Sequence, residues 1–252
     1  MATISGKTRL AGLFGADTSH SLSPQIHNFF AKKLCVDMVY TCFNVQQANL
    51  ASAVKGAYNM GIVGLNITSP HKIAVIPHLA TLDASAQNTN AVNLLKHMPQ
   101  GYVGYNTDVY GVLETLRRHN VQNIKSATIL GNGGAAKAAK IALEQLGCKN
   151  ISLLHRKPLS NHGGSLLINA TPASFDELEA IAPLHQLKNF ECIFDMNYPK
   201  NNSWIKSAEN FGIKAFDGKS MLVFQAVRSF EVLWNVTLPK NIVNEILLDI
   251  II

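Results

Sequence analysis

A glycine-rich run near the middle of the chain has the residues needed to bind a dinucleotide. Residues 131–136 read Gly-Asn-Gly-Gly-Ala-Ala and satisfy the pattern G-x-G-x-x-A. Gly131 would form the tight turn, Gly133 would let the backbone approach a pyrophosphate, and Ala136 would pack the following helix against the preceding strand. The N–H groups at the start of that helix would face the anion. A glycine-rich turn that binds nothing is the alternative.

The residues after the next predicted strand favour NADP over NAD. An NAD-binding protein places an Asp or Glu about 20 residues after the glycines, against the ribose 2′-hydroxyl, but no acidic residue lies between Glu144 and Asp176. The sequence has His155-Arg156-Lys157 at this point instead. Because a carboxylate would repel a 2′-phosphate and Arg can bind it bidentately, we predict NADP as the cofactor. An exposed basic turn is the other interpretation of these residues.

Alternating strands and helices must position these residues. In the N-terminal half, apolar periodicity predicts a β-α-β-α-β order, with strands at 8–14, 39–43 and 62–67 and helices at 25–34 and 50–60. A hairpin is expected around Pro99-Gln100-Gly101, and a helix follows over 109–119.

The second half begins with a strand, an Ala-rich helix and a strand at 127–130, 135–146 and 151–154, a span typical of a βαβ unit. Further strands are predicted at 166–168, 192–195 and 215–216, before a long helix at 221–234. The stretch from 151 to 168 is too short for two strands joined by a crossover helix. The second crossover is therefore expected to be a loop, bridged by Asn161-His162-Gly163-Gly164.

Composition indicates a globular α/β protein of one large or two small domains. The chain has 252 residues, of which 47% are hydrophobic. This composition excludes a disordered or collagen-like chain. No run of 18 or more uncharged apolar residues and no sustained apolar segment at the N-terminus are present, so we expect a cytoplasmic protein with no membrane partner.

Charge and cysteine content favour a small anionic ligand. The formal net charge is +6, but the basic residues are scattered, and the longest clusters are pairs such as Lys32-Lys33 and Arg117-Arg118. We therefore expect no nucleic-acid partner. The four cysteines form no C-x-x-C pair and predict neither a metal site nor a disulfide framework.

Short motifs over most of the chain resemble those of the shikimate dehydrogenases. They are Ser21-Leu22-Ser23-Pro24, Asn66-Ile67-Thr68-Ser69-Pro70-His71-Lys72, Ala91-Val92-Asn93, Gly104-Tyr105-Asn106-Thr107-Asp108, Gly131-Asn132-Gly133-Gly134-Ala135, Asn169-Ala170-Thr171-Pro172, Asp195-Met196-Asn197-Tyr198 and Met221-Leu222-Val223-Phe224-Gln225-Ala226. Each motif alone is weak. Their occurrence in the family's order along nearly the whole chain is the argument.

The resemblance implies a two-domain α/β fold and an oxidoreductase. An N-terminal α/β substrate domain, residues 1–107, would be completed by C-terminal helices in residues 219–252. Residues 108–218 would form a reduced Rossmann-type domain that binds NADP. The implied reaction is the reversible, NADP-linked reduction of 3-dehydroshikimate to shikimate, on the route to chorismate and the aromatic amino acids. A monomer or a homodimer is expected.

The resemblance also implies a set of substrate-binding residues. Ser21 and Ser23 would bind the substrate carboxylate at the positive end of a helix. The remaining implied contacts are Asn66, Thr68, Asn93 and Gln225 with the ring hydroxyls, and Tyr198 near both substrate and nicotinamide. Uncharged donors and acceptors suit this task because a polyol buried without partners would leave costly unpaired hydroxyls. The structural alternative for Ser23 is the helix N-cap, with Pro24 at the first helical position.

The implied catalytic pair is Lys72 and Asp108. Reduction of a ketone by hydride places negative charge on the oxygen, so a proton donor must lie within hydrogen-bond reach. Lys72, expected at the end of a strand, would donate that proton, and Asp108 would orient it. A solvated Lys72, and Asp108 as N-cap of the helix over 109–119, are the structural alternatives.

The implied cofactor residues are Gly131, Asn132, Gly133, Gly134, Ala135, His155, Arg156, Lys157, Thr171, Met196 and Gly218. Several positions depart from the family's pattern: Asn90 and Leu94 replace Gly and Thr, Ala173-Ser174-Phe175 replaces a Gly-Met pair, and Lys219 would lie near the nicotinamide. These departures, with the shortened crossover, bear mainly on cofactor affinity. A dehydrogenase for quinate or a related cyclohexane acid, and a non-catalytic binding protein, are the alternative functions.

Overall fold

Strands and helices alternate along the chain in a computed structural model that describes residues 4–155, 158–159, 162–173, 175–199 and 202–251. The strands are β1 Arg9–Gly15, β2 Met38–Asn44, β3 Gly64–Ile67, β4 Thr81–Leu82, β5 Leu94–Met98, β6 Gly101–Tyr105, β7 Ser126–Leu130, β8 Asn150–Leu154, β9 Leu166–Asn169, β10 Cys192–Asp195 and β11 Lys214–Phe216. The helices are α1 Ser23–Lys33, α2 Leu50–Asn59, α3 His71–Ala74, α4 Ala84–Thr89, α5 Asp108–Arg118, α6 Gly134–Gln145, α7 Phe175–Ile181, α8 Leu184–Leu187, α9 Ser203–Asn210, α10 Lys219–Trp234 and α11 Lys240–Ile251.

Two compact units divide the chain. Unit 1 comprises Met1–Thr107 and Gln225–Ile252, and unit 2 comprises Asp108–Phe224. The second division falls inside α10, after Phe224, so this helix contributes residues to both units. No helix among the residues described is long and apolar enough to cross a membrane.

Unit 1 contains a six-stranded mixed sheet in the order β2-β1-β3-β5-β6-β4. Strand β1 is parallel to both β2 and β3, as the predicted β-α-β-α-β order requires. Strands β5 and β6 pair antiparallel, which confirms the hairpin expected around residues 99–101. The carboxyl ends of β1, β2 and β3 therefore lie at one edge of this sheet, the edge where α/β proteins place their ligands.

The two faces of β3 differ because successive side chains of a strand point to opposite sides. Leu65 and Ile67 are buried in a core with Val54 and Leu50 of α2. Asn66, between them in sequence, is also buried, and its Oδ1 accepts a hydrogen bond from Tyr40 of β2. One face of β3 is thus apolar, and the other carries a polar side chain.

Unit 2 contains a five-stranded sheet in the order β11-β10-β9-β7-β8, with every pairing parallel. The Ala-rich face of α6 packs on it: Ala136, Ala139 and Ala142 are fully buried in one core with Ile129. Small side chains let the helix backbone lie close to the strands. The fold class expected from the sequence, α/β with a Rossmann-type parallel sheet, is confirmed.

The connection from β8 to β9 crosses over β7, which pairs with both strands. Its described residues, 155, 158–159 and 162–165, are not helical, as the short spacing predicted. Backbone hydrogen bonds fix its end: Gly164 N donates to Asn189 O at 3.0 Å, and Glu191 N donates to Gly164 O at 3.1 Å. Asn161 of the predicted bridge lies outside the residues described.

Most predicted elements occur, with their ends shifted by one or two residues. Sequence periodicity did not indicate the short helices α3, α4, α7, α8 and α9, which have four to eight residues. A helix of one or two turns presents too few apolar positions for its period to be distinguished from that of a loop.

Candidate functional site

The loop after β1 brings Ser21 and Ser23 to the carboxyl edge of the unit 1 sheet. Ser23 N donates to Ser21 Oγ at 3.2 Å. Helix α1 begins at Ser23, with Leu22 at the N-cap position and Pro24 in the first turn. The alternative interpretation of Ser23 as N-cap is therefore wrong. The Ser21 hydroxyl instead accepts from the N–H two residues on, as serines in tight turns do.

Hydrogen bonds to the end of β2 hold this loop in place. The backbone N and the Oγ1 of Thr18 both donate to Asn44 Oδ1, at 2.9 and 2.7 Å. Burial raises the pKa of the Cys42 thiol, and the hydroxyls of Thr18 and Ser21 partly counter this rise by hydrogen bonding. The Ser21 hydroxyl therefore lies next to Cys42, near the carboxyl end of β2.

The segment after β3 carries Thr68 and Lys72. Thr68 N donates to Phe14 O at 2.9 Å, which holds this segment beside the end of β1. Lys72 is half-buried and is the second residue of α3, so the expectation that it sits at the end of a strand is wrong. The chain turns into a helix after the Ser69-Pro70 dipeptide, because Pro cannot extend the sheet pairing of β3.

Two hydrogen bonds fix helix α3 within unit 1. His71 is fully buried, and its Nε2 donates to Val45 O at 2.6 Å, since a carbonyl oxygen only accepts. On the other side, Val92 N donates to Lys72 O at 2.8 Å. The backbone of Lys72 is therefore held beside the residue that precedes Asn93.

Asn66 is the centre of a buried polar network in unit 1. Its Oδ1 accepts from Tyr40 Oη at 2.9 Å. Its Nδ2 donates to Asn93 O at 3.1 Å and to Ser229 Oγ, on α10, at 3.0 Å. His27 stacks on the Tyr40 ring, with centroids 4.2 Å apart. The Asn66 amide is thus held in one orientation by partners from β2, from α10 and from the residue that precedes β5.

The network continues to Asn93 and Thr107. Thr107 N donates to Asn93 Oδ1 at 2.7 Å, and Asn93 Nδ2 donates to Thr107 Oγ1 at 2.9 Å. Thr107 Oγ1 also lies 3.0 Å from Ser229 Oγ. Two predicted substrate residues, Asn66 and Asn93, are therefore brought together by Thr107 and Ser229, two residues to which sequence analysis assigned no role.

Gln225 lies on the same face of α10 as Ser229, because residues four apart in a helix are neighbours. Gln225 is half-buried. This spacing was visible in the sequence and would have marked Ser229 as a member of the site. Tyr40 had no comparable signal, since an aromatic residue in a buried strand is ordinary core.

Asp108 is buried and is the first residue of α5. It therefore lies one residue inside the helix rather than at the N-cap position considered from sequence. A carboxylate in a first helical turn is stabilised by the positive end of the helix dipole. Asp108 directly follows Thr107, whose backbone the Asn93 side chain holds.

The glycine loop between β7 and α6 has the geometry that its sequence predicted. Gly131 has φ of +121°, and a Cβ there would lie 3.0 Å from Ala170 O, so only glycine is accommodated without strain. Gly133 is exposed, and no atom of the described residues lies within 4 Å of the position of a Cβ. Helix α6 begins at Gly134, with Asn132 exposed before it. The open space at Gly133 and the first-turn N–H groups, which have no acceptor within α6, fit a pyrophosphate.

A second polar network, in unit 2, orders the ends of β9 and β10. Asp195 is buried; its Oδ1 accepts from Asn169 Nδ2 at 3.0 Å, from Asn197 N at 3.0 Å and from Asn197 Nδ2 at 2.9 Å, while its Oδ2 accepts from Asn202 Nδ2 at 2.7 Å. Burial raises the pKa of Asp195, and these hydrogen bonds partly offset the rise. Asp195 lies in one of the sequence motifs, where no role was predicted for it.

The predicted cofactor residues Thr171 and Met196 lie within reach of this network. Thr171 Oγ1 donates to Asn169 Oδ1 at 2.7 Å, and Asn197 Nδ2 donates to Thr171 O at 2.8 Å. Gly218 packs against the loop after β10: a Cβ there would lie 2.1 Å from Met196 O. Unit 2 therefore brings Thr171, Met196 and Gly218 together at the carboxyl ends of its strands.

The remaining predicted residues lie in unit 2. Tyr198 and Lys219 are half-buried, and Lys219 N donates to Asp217 Oδ1 at 3.1 Å. His155 is exposed directly after β8. Arg156 and Lys157 lie outside the residues described. Among the residues that the structure does describe, no group of three or more His, Cys, Asp or Glu could hold a metal ion.

Comparisons with known proteins converge on one family. A family model for the shikimate dehydrogenase substrate binding domain matches residues 13–95. The shikimate dehydrogenase (NADP(+)) of Crocosphaera subtropica is 31% identical to the chain, over 98% of this chain and 98% of its own length. That of Pyrococcus abyssi is 34% identical, over 92% of this chain and 94% of its own length. The crystal structure of shikimate dehydrogenase 1 from Peptoclostridium difficile superposes with a TM-score of 0.89 at 27% identity, covering 96% of this chain and 98% of that one.

Proposed function

The chain belongs to the shikimate dehydrogenase family, and on this premise we propose that it reversibly reduces 3-dehydroshikimate to shikimate with NADPH, using Lys72 and Asp108. The protein is thus an NADP-dependent oxidoreductase of the route to chorismate and the aromatic amino acids. The observation that carries the proposal is similarity over nearly the full length of both chains. It includes the glycine loop and the substrate-side motifs together.

The cofactor would be held by unit 2. The N–H groups of Gly134 and Ala135 would face the pyrophosphate above Gly133, where the backbone is open. Thr171, Met196 and Gly218 would contact its nicotinamide half. Its 2′-phosphate would be bound by Arg156 and Lys157 beside His155. When bound, NADPH supplies a hydride to the ketone carbon.

The substrate would be held by unit 1. The Ser21 and Ser23 hydroxyls would donate to the carboxylate at the N-terminus of α1, where the helix dipole favours an anion. Ring hydroxyls would meet polar groups of this unit, namely Asn66, Thr68, Asn93 and Gln225, and Tyr198 of unit 2 would lie near both substrate and nicotinamide. These groups carry no charge, so they can be enclosed with the substrate without a large cost of desolvation.

The proton would move through Lys72. As hydride adds to the ketone carbon, negative charge develops on the oxygen, and the Lys72 ammonium would donate its proton there. In the reverse direction Lys72 would accept the hydroxyl proton. Asp108 would keep Lys72 directed at that oxygen. A continuous set of bonds supports this pairing: Lys72 O accepts from Val92 N, the adjacent Asn93 binds Thr107, and Asp108 follows Thr107 in sequence.

Oxidation of shikimate with NADP and with NAD, measured side by side on the purified protein, tests the proposal. We expect saturable formation of NADPH, with a kcat/KM for NADP at least tenfold above that for NAD, because NADP alone has a 2′-phosphate for Arg156 and Lys157 to bind. Quinate serves as the comparison substrate and should give a lower kcat/KM than shikimate. Absence of turnover with shikimate, despite saturable NADPH binding seen by fluorescence, would contradict the proposed reaction.

We further propose that the enzyme acts in the cytoplasm as a monomer or homodimer and uses no nucleic-acid partner. The scattered arrangement of basic residues supports the last point. Light scattering with the purified protein at several concentrations measures the oligomeric state, and a stable assembly larger than a dimer would contradict the proposal.

A further inference from the structure

We propose that Ser229 is a positioning residue that makes Asn66 a hydrogen-bond acceptor for a ring hydroxyl of the substrate; this inference rests on the proposed function. Ser229 lies on α10 and is fully buried. Its Oγ is 3.0 Å from Asn66 Nδ2 and 3.0 Å from Thr107 Oγ1. It therefore joins the two halves of the buried polar network.

The direction of each hydrogen bond around Asn66 follows from one backbone group. Asn93 O can only accept, so the atom of Asn66 that faces it at 3.1 Å must be Nδ2. The second hydrogen of Nδ2 then points at Ser229 Oγ, which accepts it. The Oδ1 of Asn66 is left facing Tyr40 Oη at 2.9 Å, and Tyr40 must donate.

A second backbone group sets the direction around Asn93. Thr107 N can only donate, so the atom of Asn93 that faces it at 2.7 Å must be Oδ1. Asn93 Nδ2 therefore donates to Thr107 Oγ1. A serine hydroxyl has one proton and two lone pairs, so Ser229 Oγ can accept from Asn66 Nδ2 and also share a hydrogen bond with Thr107 Oγ1 in which either hydroxyl donates. Ser229 is therefore compatible with both fixed directions.

This arrangement restricts what Asn66 can offer a ligand. Both hydrogens of its amide are bound within the protein, and among the described residues Tyr40 is the one donor to Oδ1, which leaves the second lone pair of Oδ1 for a ligand. Asn66 would consequently accept from a substrate hydroxyl and would not donate to one. Without the Ser229 hydroxyl, one buried N–H of Asn66 loses its partner, and the amide is no longer held in this orientation.

The test compares Ser229→Ala with the wild type on three substrates, using NADP in excess. These are shikimate and two analogues, 4-deoxyshikimate and 5-deoxyshikimate, which retain the reacting hydroxyl. For Ser229→Ala we expect kcat/KM for shikimate to fall about tenfold, with the KM for NADP unchanged. For one of the two analogues the fall should be threefold or less, because the hydroxyl that Asn66 would accept from is already missing. Thr107→Val removes the other partner of Ser229 and should give the same pattern.

Val227→Ala is the matched control, since Val227 is buried on α10 and has no polar atom in its side chain. Val227→Ala should lower the melting temperature. Any reduction of kcat/KM that it causes should be by the same factor for all three substrates. An equal effect of Ser229→Ala and Thr107→Val on every substrate, or no effect on any, would overturn the inference. If wild-type protein itself fails to oxidise shikimate, the proposed function fails instead.

Discussion

Asn66 Nδ2 donates a 3.0 Å hydrogen bond to Ser229 Oγ across a separation of 163 residues in sequence. Asn66 lies in the short buried strand β3, and Ser229 lies in α10, the second-last helix of the chain. The bond joins the two chain segments of unit 1, because Asn66 lies in its N-terminal sheet and Ser229 in its C-terminal helices. It also helps to fix the polar side chains of the candidate substrate site, since every member of the Asn66 network is buried.

The first prediction concerns Lys72. Lys72→Ala should lower kcat for shikimate oxidation by about 10²–10⁴-fold, the usual contribution of a positioned proton donor. The KM for NADP should change little, because Lys72 belongs to unit 1 and the cofactor loop to unit 2. Steady-state kinetics measures both quantities, and circular dichroism checks the fold. Lys55→Ala, an exposed lysine on α2, is the control; near wild-type turnover of a folded Lys72→Ala protein would disprove the assignment.

The second prediction concerns Gly133. Its φ of −82° is open to any residue, and no described atom lies within 4 Å of a Cβ, so Gly133→Ala should fold normally. The added methyl group would occupy the space assigned to the pyrophosphate, and we expect the Kd for NADPH to rise about tenfold or more. Fluorescence titration gives this value.

Gly56→Ala is the matched control for Gly133. It also has no described atom within 4 Å of a Cβ, but it lies inside α2. The substitution should stabilise the protein by about 1 kcal/mol through helix propensity and leave NADPH binding unchanged. Equal NADPH affinity in both variants would show that the cofactor does not approach Gly133.

The third prediction concerns pH and His27. The ring is fully buried, its two nitrogens have no hydrogen-bond partner in the part of the chain that the structure describes, and burial lowers the His27 pKa to about 3. Between this pKa and the usual value near 6.5 the unfolded chain binds the proton and the folded chain does not. The free energy of unfolding should therefore fall as pH decreases below 6.5, by up to about 1.4 kcal/mol per pH unit.

His27→Phe keeps a ring to stack on Tyr40 and removes the titrating group. Urea unfolding of both proteins from pH 4 to 8 measures the effect. The two stabilities should run parallel above pH 7 and separate below pH 6.5, with the variant less sensitive to acid. Curves that stay parallel down to pH 4 would mean that His27 is readily protonated in the folded state.

The fourth prediction concerns Asp195. Asp195→Asn replaces one acceptor oxygen of the carboxylate by an NH2 group. Because four N–H groups donate to this carboxylate, the new NH2 must face at least one other donor. The free energy of unfolding should therefore fall by about 2 kcal/mol. Because the same network holds Thr171, the Kd for NADPH should rise as well. Thermal melting and NADPH titration check these results. Asp37→Asn, at an exposed position, is the control and should alter neither quantity. An unchanged NADPH affinity in Asp195→Asn would show that the Asp195 network does not contribute to cofactor binding.

The amino-acid sequence by itself determined the order of strands and helices and the location of the dinucleotide loop. Both are local properties: the apolar period of β1 or α6 and the turn at Gly131 depend on residues close together in the chain. The spacing between β8 and β9 likewise excluded a crossover helix. The sequence also shows that no acidic residue directly follows β8, and this absence indicated NADP.

The tertiary structure alone decided which polar groups meet. Asn66 and Ser229, or Asn169 and Asp195, are partners because separate elements pack together, and no local pattern encodes that pairing. A buried hydrogen bond requires the donor–acceptor distance between two residues far apart in sequence to be correct to within a few tenths of an ångström. Apolar periodicity requires only that the correct face of an element be buried.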